Sequence, residues 1–172
     1  MAELLGNHIT GRSHALRQKR VDDTHFGQDY QTANDLITVD PAQNDTLFLM
    51  ELYSSAVLSD VISRLQWTGM GAGVTVDVGF ANDTRRVVKA ATDNGAGLVS
   101  QGDALVDGLD TANAGSGTLV SGVALADRFK QLWELAGLDR DPKVMLKIQM
   151  TFLGANPASC TIAFEQGWLT GG

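Results

Sequence analysis

Residues 74–80, Val74-Thr-Val-Asp-Val-Gly-Phe80, set Val74, Val76, Val78 and Phe80 on one side and Thr75, Asp77 and Gly79 on the other. This period-two alternation predicts a strand with one buried face. The same pattern returns in residues 143–153, where Val144, Leu146, Ile148, Met150 and Phe152 alternate with Lys143, Lys147, Gln149 and Thr151. Gly154-Ala-Asn-Pro157 then turns the chain into the alternating residues 159–168, so the two runs read as a C-terminal hairpin. In residues 45–53, Leu47, Leu49, Glu51 and Tyr53 share one face and Phe48, Met50 and Leu52 the other. Neither face is cleanly polar, which predicts a strand covered on both sides. Residues 57–67, with Val57, Val61, Leu65 and Trp67 spaced among Ser59 and Ser63, suit a long half-buried strand, with a helix as the weaker alternative. Residues 125–137 are ambiguous. Leu125, Phe129, Leu132, Trp133 and Ala136 have helical spacing, and Gly137 stands where a C-terminal cap belongs; the rival is a strand over residues 130–135.

Glycine sharpens this picture, because it clusters at 69–73, 95–97, 115–122 and 171–172, between runs rich in valine, isoleucine, threonine and aromatics. Short strands separated by turns are the layout of an all-β sandwich or barrel. A chain of 172 residues suits one domain, and 44% hydrophobic with 19% charged residues allows a core without metal or disulfide. Cys160 is the sole cysteine and lies in an alternating run, so a buried thiol is expected ahead of a reactive one. No apolar stretch reaches the roughly 18–20 residues that span a bilayer, and the N-terminus lacks the order of a signal peptide. Synthesis in the cytoplasm is the corresponding expectation.

Charge divides the chain. Residues 1–20 hold Arg12, Arg17, Lys19 and Arg20 against Glu3, while the whole chain carries a net charge of −7. Residues 21–45 are polar, with Asp22, Asp23, Asp29, Asp35 and Asp40 irregularly spaced. Residues 1–44 therefore read as an extended N-terminal arm and 45–172 as the sandwich domain. Fully stretched, such an arm reaches on the order of 145 Å at about 3.3 Å per residue. It could tie neighbouring subunits together or hang as a tail; Leu36, Ile37, Thr38 and Val39 could add a strand to the body or to a neighbour.

Catalytic chemistry finds little support. His8, His14 and His25 lie in the arm with no partner at metal-ligand or triad spacing. Gly69-Met-Gly-Ala-Gly73 lacks the lysine and hydroxyl residue of a phosphate loop and leads into a strand, so it reads as a turn. Asp103, Asp107 and Asp110 do not follow the ligand spacing of a calcium loop. Catalytic residues, metal ligands and cofactors are accordingly expected to be none. Trp67, Trp133 and Trp168 could form a sugar-stacking platform, but each sits in or beside an apolar run where core packing is the simpler account. Four basic residues without interleaved aromatics are a weak nucleic-acid footprint, and an acidic body argues against packaged DNA as the main ligand.

Three passages together resemble a known family: residues 48–82, ending in Val74-Thr-Val-Asp-Val-Gly-Phe-Ala-Asn82; Gly102-Asp-Ala-Leu-Val-Asp-Gly-Leu-Asp-Thr-Ala-Asn-Ala-Gly115; and Leu132-Trp-Glu-Leu-Ala-Gly-Leu-Asp-Arg-Asp-Pro142. Over about residues 48–168 the chain is similar to the small jelly-roll decoration, or cement, proteins of tailed-bacteriophage capsids. The resemblance implies an antiparallel jelly-roll-like β-sandwich, an extended rather than helical course for residues 125–137, and no catalysis. It further implies a virion location after synthesis in the host cytoplasm, binding to the major capsid protein, and homo-oligomers, trimers above all. The candidate contacts are Arg12, Arg17, Lys19 and Arg20, with Leu36, Ile37, Thr38 and Val39 as a possible added strand. An arm of 44 residues is longer than the family pattern, which keeps a junctional or fibre-base role open. The alternatives are a carbohydrate-binding or adhesion module of a phage fibre or spike and, more remotely, a small acid-dependent hydrolase.

Overall fold

The described residues form nine strands: β1 (Glu3–Leu5), β2 (Asp29–Val39), β3 (Thr46–Tyr53), β4 (Val57–Trp67), β5 (Val74–Phe80), β6 (Gln101–Asp110), β7 (Gly115–Gly117), β8 (Met145–Gly154) and β9 (Cys160–Thr170). The computed structural model describes residues 3–5, 29–81 and 101–170. One sheet runs β1-β3-β8-β5-β6 and the other β2-β9-β4-β7. All pairings are antiparallel except β1 on β3, which is parallel through Glu3↔Thr46 to Leu5↔Phe48. The protein is thus an all-β, jelly-roll-like sandwich, in which the inner faces of two sheets interdigitate as a single core.

The predicted alternations supply that core. Val74, Val76, Val78 and Phe80 from β5 and Leu146, Ile148, Met150 and Phe152 from β8 are all within 2% of complete burial. From the other sheet come Ile37, Leu58, Leu65, Trp67, Cys160, Ile162, Phe164 and Trp168. Each fully buried large apolar side chain contributes about 1.5–3 kcal/mol, so these faces dominate the fold's stability. The turn at residues 69–73 also reaches inward: Met70 is 1% exposed, while its backbone N–H donates to the Thr111 carbonyl at 3.0 Å.

The double apolar pattern of residues 45–53 has a geometric cause. Leu47 pairs with Met150 and Phe48 with Gln149, but the register then jumps so that Met50 pairs with Ile148. Leu49 is the extra residue of a β-bulge, which moves the inward face from odd to even positions. Leu47 and then Met50 and Leu52 therefore face the core, while Glu51 and Tyr53 are exposed.

Three expectations change. The runs 143–153 and 159–168 form strands but no hairpin: β8 belongs to one sheet and β9 to the other. Residues 155–159 carry the chain across the edge of the sandwich, held by the Ala155 N–H on the Gly73 carbonyl (3.0 Å) and the Ala158 N–H on the Met70 carbonyl (2.8 Å). Residues 125–137 form neither a long helix nor a strand. A 3-10 turn covers Leu125–Asp127 and a one-turn helix, α1, covers Leu132–Leu135, capped at its start by reciprocal Gln131 and Glu134 bonds. Gly137 ends it at φ +69°, as its position predicted. Leu132 and Ala136 are buried, whereas Leu125 and Phe129 stand 75% and 83% exposed, so the helical spacing there marks no continuous apolar face. Finally, β2 runs inside the stretch assigned to the arm, pairing with β9 over eleven residues from Asp29↔Thr170 to Val39↔Cys160. The sandwich therefore begins well before residue 45.

Candidate interaction surfaces

The residues expected to meet a partner divide by position. Arg12, Arg17, Lys19 and Arg20 lie outside the described residues. Leu36, Ile37, Thr38 and Val39 all lie in β2, where alternation separates them. Of the two places expected for this added strand it takes the body of its own chain, paired with β9, and Ile37 and Val39 are 3% and 9% exposed in its core. Leu36 (62% exposed) and Thr38 face outward. The outer sheet face around them is built from small hydroxyl side chains: Thr38 Oγ1 lies 3.0 Å from Thr161 Oγ1, and the Thr161 N–H donates to Thr68 Oγ1 at 2.9 Å. The result is a low, polar surface with Leu36 projecting from it.

A second surface was not legible as such in the sequence. Strand β4 pairs with β9 at Ser59↔Gly167 and again at Ser63↔Gln166, so Asp60, Val61 and Ile62 form a wide bulge. The bulge is secured from inside by Gln166, which is 1% exposed. Its Nε2 donates to the carbonyls of Ser59 (2.9 Å), Ile62 (3.3 Å) and Gly167 (2.6 Å). Ser63, also buried, accepts the Leu119 N–H on its hydroxyl at 2.9 Å. With the Ser59 and Ile62 carbonyls that flank it held inward, the bulge turns Val61 out to 83% exposure. Next to it run residues 125–131, joined to β4 by the Asp60–Arg128 ion pair at 3.1 Å and by the Val57↔Gln131 bridge.

The chemistry-bearing side chains serve the fold. Asp77 Oδ1 accepts the Gly108 N–H at 2.8 Å, securing the irregularity within β6, and Asp110 Oδ1 accepts the Ala112 N–H at 2.9 Å in the turn that follows it. Among the described residues, no group of three or more His, Cys, Asp or Glu side chains is placed to hold a metal ion. Trp67 and Trp168 are buried, as expected, and the Trp67 Nε1–H donates to the Asn113 carbonyl at 2.8 Å. Trp133 packs half-buried against the core with its N–H on Gln131. No helix among the described residues is long and apolar enough to cross a membrane.

Cys160 is buried as its strand position predicted, at 2% exposure. Burial, and secondarily the charge of Asp40, pushes its thiol up from 9.0 to about 11. The thiol is thus kept protonated and unreactive. A raised acid pKa in the folded state means that the unfolded chain loses its proton first as pH rises. Stability contributed by the neutral thiol is therefore complete below pH 9 and declines between pH 9 and about 11. We expect a loss on the order of 2 kcal/mol across that interval, measured by urea denaturation, with the slope removed in Cys160→Ala. An Ellman titration of the native protein at pH 8 should find the thiol protected until denaturant is added.

No protein-family model matches the chain, and no curated protein matches its sequence. Solved structures do. The fold is similar to a chain of the capsid of Ralstonia phage GP4, at 17% identity and a TM-score of 0.57, covering 99% of both chains. A chain of the cyanophage Pam1 capsid asymmetric unit aligns at 13% identity and a TM-score of 0.44, over 91% of this chain and 96% of that one.

Proposed function

We propose that this chain is a structural component of a tailed-phage capsid, a decoration or cement protein that binds the major capsid protein and reinforces the shell. The observation that carries this reading is the end-to-end similarity of its sandwich to a chain of the Ralstonia phage GP4 capsid, with 99% of each chain covered. The jelly-roll resemblance of residues 48–168 supports it independently.

In this reading the work is mechanical. A rigid sandwich lies across boundaries between shell subunits, and a contact of standard size buries about 1,600 Å². Repetition over a lattice converts a modest affinity per contact into shell stability. Leu36 and Thr38 on the outer face of β2, and the basic residues Arg12, Arg17, Lys19 and Arg20, are the proposed contacts with the shell; the chain acts as a homo-oligomer, with the trimer implied by the resemblance. Its place is the virion, after synthesis in the host cytoplasm. A carbohydrate-binding role is disfavoured by the tryptophans, since Trp67 and Trp168 are 8% and 4% exposed and offer no stacking platform.

The test is quantitative mass spectrometry of density-gradient-purified particles. The expected result is this chain at a fixed ratio to the major capsid protein, near one per subunit or per few subunits, and shells stripped of it should lose resistance to heat. A handful of copies per particle would assign it to a vertex or fibre base. Its absence from particles would overturn the reading.

A further inference from the structure

We draw no further inference here: the strongest candidate, the exposed side chains of Val61 on the β4 bulge and of Leu125 and Phe129 on the adjoining turn, carries nothing because nothing in the structure shows what covers them.

Discussion

Gly154→Ala should destabilise the protein by about 4 kcal/mol or more, because a methyl group there strains the backbone and collides with a fixed neighbour. Gly154 closes β8 at φ +75°, in the region where a side chain costs about 1–2 kcal/mol. A Cβ at this position would stand 2.1 Å from the Gly73 carbonyl oxygen, a backbone atom with no rotamer to yield. That oxygen cannot retreat freely either, since it accepts the Ala155 N–H at 3.0 Å where the chain leaves one sheet for the other. In a chain of this length each kcal/mol moves the thermal midpoint by roughly 2–4 °C, so calorimetry should find a drop of about 10 °C. Gly102→Ala, at a position with open space around it, serves as the control and should change the midpoint by little. An unchanged midpoint in Gly154→Ala would mean that the β8 to β9 crossing is not held as described.

Gln166→Leu should cost about 3 kcal/mol, although it replaces a buried polar side chain with an apolar one of similar size. The usual expectation for such an exchange in a core is a gain. Here the amide is the partner of the Ser59 and Ile62 carbonyls in the β4 bulge, and each buried acceptor left without a donor costs roughly 1–3 kcal/mol. Gln166→Glu sharpens the test. A carboxylate offers no donor to three converging carbonyls, so the variant should be less stable than Gln166→Leu at neutral pH. Burial raises a carboxyl pKa, which places its stability at low pH and removes it as pH rises past the ordinary glutamate value of about 4.3. Urea midpoints between pH 4 and 8 should therefore fall for Gln166→Glu and stay level for Gln166→Leu.

These two sites explain how the surface is made. A sandwich whose strands change sheets at nearly every connection needs tight, well-secured crossings, and Gly154 serves one of them. Among the described strands, β5 and β6 are the one consecutive pair that are also sheet neighbours. The bulge of β4 is the complementary device: an interruption of regular pairing, compensated from within, that turns an apolar residue outward. A rigid body with a fixed display of contacts suits a component used in many copies.

The strands themselves were written in the alternation. Val74 to Phe80 and Leu146 to Phe152 could bury their apolar sides in only one way, because side chains on a strand point to opposite faces in turn. Cys160 in its strand, the tryptophans near the core, the turn at residues 69–73 and the stop at Gly137 followed from the same local rules. The partner of each strand did not. Alternation states that a face is buried but not against what, so the run after Pro157 read as the second arm of a hairpin when it lies in the opposite sheet. The polar stretch before residue 45 concealed β2, since that strand forms by pairing with β9, more than 120 residues further along the chain, which places Ile37 and Val39 in the core. The exposed patch was hidden for the same reason. Leu125 and Phe129 have the spacing of a buried helix face, and Val61 that of a strand side; only the bulge opposite Gln166 and the short turns of residues 125–135 leave all three in solvent. Local sequence determined which faces are apolar, while long-range pairing, where a single extra residue reverses the direction of every side chain after it, decided which of them meet the core and which face solvent.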